Sequence, residues 1–343
     1  MKAEITNNRI DLLDYLRGFA LIGILMVNIP FFLLRANAPA PNSIDAFYQR
    51  FLYFFVEGRF FTIFSFLFGY GFYIFISRAK ARNDRAFLLF LRRLAVLFVI
   101  GCIHVTYVHN LDVLTAYAMV GFFLTPFYWF NKRINLVLAL LGIIYASYLG
   151  DKNSLILPLF LLGLTAGQYR IFENTSKKIW KYRIFTFVAL VLSIIGLWIQ
   201  YTHLPSTIVD SMSPVDRSTK EAMDSEIFVK MGITVGPIVS ACYVGILILL
   251  LQYSWVQKLL TPLKYYGRMS LTNYLSQSAI VLTIGYCLQL TENIAYFQTL
   301  FICIGIYLIQ LLFSTVWLRF FRMGPLEWLW RICTYWKVTP IKK

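Results

Sequence analysis

Two apolar segments of this chain each carry an arginine and, eleven residues further on, a polar side chain: Arg17 with Asn28, and Arg93 with His104. In a helix, eleven steps of about 100° return to within about 20° of the starting face and rise about 16.5 Å. Each pair therefore shares one face, with the guanidinium near a membrane edge and the polar group past the middle. Ionisable groups are costly inside a bilayer, so they point to function there. A guanidinium suits the phosphates of an anionic cofactor. An amide can donate to a developing oxyanion, and an imidazole that titrates near neutrality can act as a general base. Asp112, eight residues beyond His104, would orient that ring if the chain reverses near Asn110. The plainer use of these residues is also open. Arg17, Arg92 and Arg93 would then snorkel to the interface, and Asn28 and His104 would be hydrogen-bonding contacts between helices.

A second polar cluster lies in YYGRMSLTNYLSQS. Arg268 stands at a membrane edge, and Asn273 and Gln277 follow at i, i+4 on one helical face with Ser270 and Ser278 nearby. That density of polar groups at the start of one span indicates a cavity wall. Glu57 and Arg59 straddle Gly58. Their spacing points to a local ion pair at an outer entrance, with a substrate-contacting lip as the alternative. In the aromatic tail GPLEWLWRICTYW, Glu327 and Arg331 have the i, i+4 spacing of a helix pair. The five cysteines are odd in number and lack a C-x-x-C, so a complete disulfide framework is excluded and they read as small core hydrophobes. The three histidines and Cys102-x-His104 form no zinc pattern, and no metal is expected.

The elements that must hold these groups follow from composition. The chain is 59% hydrophobic and 14% charged, against roughly 45–50% apolar and 25% charged in soluble domains. Disorder is excluded. So is a soluble nucleic-acid binder, because in so apolar a chain a net charge of +16 marks cytoplasmic loops. Ten segments approach the roughly 20 apolar residues a bilayer-crossing helix needs: about 13–34, 60–77, 87–108, 112–130, 134–150, 154–169, 183–202, 232–253, 269–289 and 296–318. The chain thus reads as an all-α polytopic membrane protein of about ten transmembrane helices, one integral membrane domain over residues 1–343. With a cytoplasmic N-terminus, 25 of the 32 Lys and Arg fall on the cytoplasmic side, which places both termini there. The first segment lacks a cleavage site and is not a signal peptide. Residues 203–228 form the sizeable outer loop, and Ile44 to Glu57 reads as an amphipathic helix on the outer surface. No internal repeat is evident, which disfavours an inverted-repeat transporter.

RIDLLDYLRGFALIGILMVNI at 9–29, YYGRMSLTNYLSQS at 265–278 and GPLEWLWRICTY at 324–335 resemble the YeiB-like family, whose C-terminal region, about 200–340 here, is known as DUF418. RRLAVLFVIGCIH at 92–104 and LDVLTAYA at 111–118 also fit that pattern, with Ser270 where Ala is more usual. The resemblance implies a wider kinship with membrane acyltransferases, including heparan-alpha-glucosaminide N-acetyltransferase and, more distantly, acyltransferase family 3. Those enzymes move an acyl group from cytoplasmic acyl-CoA to a sugar or similar acceptor across the membrane. In family 3 an Arg and a His mark the first span. Arg17 matches, and Asn28 stands at the His position, as in the glucosaminide enzyme. The His that follows the first span in that enzyme has no counterpart between Asn28 and His104.

The expected function is transmembrane acyl transfer. Acyl-CoA, in the first instance acetyl-CoA, would bind at Arg17, Arg92, Arg93 and Arg268, with His104, Asn28 and Asp112 catalytic and Asn273, Gln277 and Glu57 lining the substrate cavity. The expected partners are membrane lipid, a small-molecule or glycan acceptor and a second copy in a homodimer, with no nucleic acid; the expected location is a bacterial plasma membrane. The alternative is a transporter of an anionic metabolite or lipid.

Overall fold

A computed structural model describes residues 10–34, 39–107, 113–173, 175–205, 208, 220–290 and 294–343. Among these the regular structure is helical, apart from an isolated antiparallel bridge between Phe321 and Lys342. The first seven helices are α1 (Asp11–Leu33), α2 (Ile44–Phe55), α3 (Arg59–Ala81), α4 (Ala86–Tyr107), α5 (Val113–Leu124), α6 (Lys132–Leu149) and α7 (Ile156–Gln168). They are followed by α8 (Ile179–Thr202), α9 (Lys220–Leu250), α10 (Ser254–Leu259), α11 (Thr261–Arg268), α12 (Ser270–Cys287), α13 (Gln298–Phe320) and α14 (Pro325–Tyr335).

Helix boundaries follow local chemistry. Asp11 and Asp14 occupy the first turn of α1, where negative charge complements the helix dipole. The Ser43 hydroxyl accepts the Ala46 amide at 3.1 Å and starts α2. Gly58, at φ 76°, adopts the left-handed conformation that lets the chain turn from α2 into α3. Pro325 opens α14, where its missing amide costs nothing.

At the centre is α3, packed against α1, α4, α7 and α9. It meets α7 backbone to backbone: a Cβ on Gly69 would stand 1.9 Å from the Phe160 carbonyl oxygen, and one on Gly163 2.0 Å from that of Phe66. Small residues allow such close approach between helices in lipid. Buried aromatics then fill the space beside the contact, with the Phe68 and Phe160 rings stacked at 4.6 Å and Tyr117 edge-on to Phe160 at 5.0 Å.

Among the described residues seven helical stretches are long and apolar enough to cross a membrane: α1, α2 with α3, α4, α6, the stretch ending in α8, α9 and α13. The segment from Val113 to Trp129 and that from Asn153 to Gln168 are shorter apolar helices. On α6 and α8 most apolar side chains point outward; Trp198 is 66% exposed. So much exposed apolar surface suits lipid and not water.

Helix α9 begins at Lys220 and carries its charged first turns beyond the apolar part, so the last residues of the polar stretch expected over 203–228 are helical; residues 206, 207 and 209–219 of it lie outside the described residues. One expectation is corrected. Among the cysteines only Cys242 and Cys303 are in the core; Cys102 and Cys287 lie on exposed helix faces.

Candidate functional site

Where α3 leaves α1 it does not close the gap, and a cavity of about 1330 Å³ opens between α1, α3, α4, α5, α12 and α14. That exceeds the ~300–1,000 Å³ of ordinary small-molecule sites. Its wall changes character along its length. One end carries seven arginines, Arg17, Arg78, Arg82, Arg93, Arg268, Arg322 and Arg331, against two carboxylates, Asp14 and Glu327, among the described residues. The middle is walled by Phe60, Phe61, Phe64, Phe68 and Phe72 of α3 with Leu97, Leu114 and Tyr117. The far end is polar, with Asn28, Gln49, Tyr53, Glu57, Lys152 and Asn153.

Three of the arginines, Arg82, Arg93 and Arg331, lie against aromatic rings of α14. Glu327, Trp330, Arg331 and Tyr335 recur at helical spacing, so one face of this short helix meets the ends of α3 and α4. The Arg93 guanidinium lies 3.6 Å from the Trp330 ring centroid and 5.3 Å from that of Phe75, while Trp330 Nε1 donates to the Arg93 carbonyl at 2.9 Å. Such stacking fixes a cation without neutralising it. Arg82 pairs with Asp84 at 2.9 Å and donates to the Tyr335 hydroxyl at 3.2 Å. Arg268 donates to the Arg322 carbonyl at 3.0 Å. Arg17 and Asp14 approach to 3.4 Å, a long contact for an ion pair. With few carboxylates to compensate them, these cations give the end a positive field suited to a polyanion.

Glu327 does not spend its charge on Arg331. Its carboxylate accepts the Leu271 and Thr272 amides at 2.7 and 3.1 Å and the Thr272 hydroxyl at 2.6 Å, so it caps the N-terminus of α12 from another helix. The Leu326 amide donates back to Thr272 Oγ1 at 3.1 Å. Burial pushes the Glu327 carboxyl above its usual range, against the pull of those donors.

At the far end Glu57 pairs with Lys152, so the pair expected between Glu57 and Arg59 is corrected. Arg59 turns away from the cavity and is buried, donating to the Glu57 backbone carbonyl at 2.6 Å and to Gln200 Oε1 at 2.9 Å. Each group has another partner: Lys152 takes the carboxylate, and Gln200 and a backbone carbonyl take the guanidinium.

Of the residues singled out by sequence, Arg17, Arg93, Arg268, Asn28 and Glu57 line this one cavity. Arg92 is outside the lining and lies over the Trp336 ring at 4.2 Å. His104 is buried on α4 outside the lining, its ring centroid 5.7 Å from that of the cavity-lining Tyr274. Asn273 and Gln277, expected on the wall, sit behind it. The Asn273 amide donates to the Tyr266 carbonyl at 2.9 Å and to Ser314 Oγ at 3.0 Å, and Gln277 donates to the Tyr266 hydroxyl. Gln310 of α13 donates to the Asn273 carbonyl at 3.0 Å and closes the network. These side chains satisfy one another between helices, which is the other way to use buried polarity. Asp112 lies outside the described residues. Sequence reasoning passed over Asp14, Arg78, Arg82, Arg322 and Lys152. Asp14-x-x-Arg17 was the available signal, since i, i+3 spacing puts a carboxylate beside the guanidinium. Among the described residues no cluster of three or more His, Cys, Asp or Glu could hold a metal ion.

An uncharacterized 39.9 kDa protein in amylase 3'region of Bacillus acidopullulyticus is 47% identical over 98% of this chain and 96% of its own length. YxaH of Bacillus subtilis (strain 168) is 28% identical over 100% of this chain and 98% of its own. YeiB of Escherichia coli (strain K12) is 28% identical over 94% and 95%. No solved structure matches the chain. The DUF418 family, described as a protein of unknown function, matches residues 166–337, a stretch that begins in α7 and takes in the network behind the wall and the α14 aromatics. With that match and full-length relatives, this chain belongs to the DUF418 family, alongside YeiB and YxaH.

Proposed function

We propose that this chain is a membrane acyltransferase of a bacterial plasma membrane, crossing it ten times with both termini in the cytoplasm. The observation that carries the reading is the polarity of the cavity: seven arginines at one end, an aromatic middle, and Asn28 at the other end. Each of the ten apolar segments contains a helix. The arginine end draws its cations from the segments that the charge asymmetry assigns to the cytoplasm, and Glu57 and Lys152 come from segments assigned outside.

In this reading the phosphates of acyl-CoA, acetyl-CoA in the first instance, rest among Arg17, Arg93 and Arg268. Its thin arm runs along the phenylalanines toward Asn28. The acceptor, a sugar or other envelope molecule, enters beside Glu57 and Lys152. Its oxygen or nitrogen bonds the acyl carbon as the thioester carbon–sulfur bond breaks, and Asn28 donates to the oxyanion between. The acceptor proton goes to His104 beside the Tyr274 wall, and the leaving thiolate is protonated as free CoA.

The test is release of free CoA thiol from acetyl-CoA by protein in proteoliposomes supplied with an envelope glycan extract. Release should fall about a hundredfold or more in Asn28→Ala, the usual cost of losing an oxyanion donor, and vanish in His104→Ala. The position of His104 off the lining favours one second reading, transport of an anionic metabolite or lipid through the same cavity. Gradient-dependent tracer uptake without acetyl-CoA consumption would establish that reading in place of the first.

A further inference from the structure

Three glycines line the cavity, and two are explained by the backbone or by packing. Gly58 needs its positive φ, and a Cβ on Gly23 would fall 2.0 Å from the Phe60 ring. Gly71 has neither reason. It sits inside α3, where glycine is less favourable than alanine. A Cβ there would meet a single atom within 4 Å, Arg17 Nη2 at 3.6 Å. The contrast with Gly69, two residues earlier on the same helix and jammed against Phe160, shows that α3 does not need a second small residue for contact.

The face of α3 that borders the cavity is otherwise large: Phe64, Leu67, Phe68, Ile74, Phe75 and Arg78 all line it. Gly71 is the gap in this stripe, and the gap is opposite Arg17. Arg78 lies seven residues, about 10 Å, on one side of it along α3, and Asn28 lies about 16.5 Å along α1 from Arg17. The Gly71–Arg17 level therefore divides the arginine cluster from Asn28. We propose that Gly71 and Arg17 form the neck of the cavity, and that the missing side chain at Gly71 sets its bore for a ligand with a polyanionic head and an unbranched chain. The head stays with the arginines; the chain passes the neck with the Arg17 guanidinium beside it. This deepens the acyl-transfer reading and rests on it for the identity of the ligand, but the neck itself is a property of the cavity.

The experiment uses the full chain in membrane vesicles of both orientations. An Asn28→Cys variant reports arrival of a small anionic methanethiosulfonate reagent at the deep site, with the wild-type protein as background for its own cysteines, none of which lines the cavity. Added at the arginine end, the reagent should label more slowly in the order Gly71, Gly71→Ala, Gly71→Val, Gly71→Leu, with at least a tenfold loss for Leu; labelling from the Glu57 end should not change. Should Gly71→Leu fail to fold, the Ala and Val steps still rank the bore. Labelling from the arginine end that ignores side-chain size overturns the neck. Radiolabelled CoA binding is measured on the same preparations: its absence with graded labelling removes the acyl-CoA reading and leaves the neck standing.

Discussion

Glu327 shows how a single carboxylate can join two helices at the edge of a binding cavity. It offers both oxygens to the first turn of α12, and α14 carries it there. Burial raises its folded-state pKa above the ordinary glutamate value, so folding takes up protons between those two values. Its contribution to stability is therefore full below about pH 4.5, the ordinary glutamate value, and is lost as pH rises through the folded value. Glu327→Gln should lower thermal stability by about 1–2 kcal/mol, the range for a lost helix cap. It should also flatten the rise in stability on acidification, as read from melting temperatures of both proteins over pH 4–8. An unchanged pH slope in the variant would put the titration elsewhere. The sequence had set Glu327 aside as half of a pair with Arg331, because i, i+4 spacing reports what can meet on one helix and is silent on a helix turn 55 residues away. The same blindness affected Asn273 and Gln277. A buried amide is costly whether it faces a cavity or another amide, so spacing alone could not separate a wall from a network. Arg17 and Asn28 do line one cavity, because their placement needs only one face of one helix.

Each apolar segment read from hydropathy contains a helix, and among the described residues seven helical stretches are long and apolar enough to cross a membrane, since an apolar run of helical length has few other ways to satisfy its backbone in lipid. The helices that build the arginine end were not so visible. α14 and α11 are short and amphipathic, and their aromatic residues alone would suit any membrane edge. The central contact of α3 with α7 is the most sensitive to change. A Cβ on Gly163 would lie 2.0 Å from the Phe66 carbonyl oxygen and 2.8 Å from the Tyr70 nitrogen, backbone atoms that cannot swing aside. Gly163→Ala should cost about 1–3 kcal/mol, as overpacking does, and should lower the melting temperature in detergent. Gly305→Ala, with nothing within 4 Å of the added methyl, is the matched control and should melt at or slightly above the wild type. Equal melting of Gly163→Ala and wild type would mean that α3 and α7 can part without loss.

For the molecule as a whole, the charge asymmetry and the cavity express one arrangement. The arginines that could be explained as topology markers converge with α14 on the same opening, and the few residues assigned to the other side supply its far end. That convergence was not readable from the sequence, because it requires the ends of α1, α3, α4, α11, α13 and α14 to meet. It is also what the proposed phosphate-binding opening has and scattered interfacial arginines lack. Binding to clustered guanidinium groups at an open cavity end weakens as salt screens them. The loss of one such charged contact is worth about 1.5–3 kcal/mol, roughly ten- to a hundredfold in affinity. The most direct measurement is therefore equilibrium binding of radiolabelled acetyl-CoA to the purified chain, displaced by unlabelled CoA, at several salt concentrations. The expected result is saturable binding that weakens at least tenfold in Arg17→Ala and falls with rising salt. A folded, monodisperse protein that binds no CoA, or binds it equally well without Arg17, would contradict it.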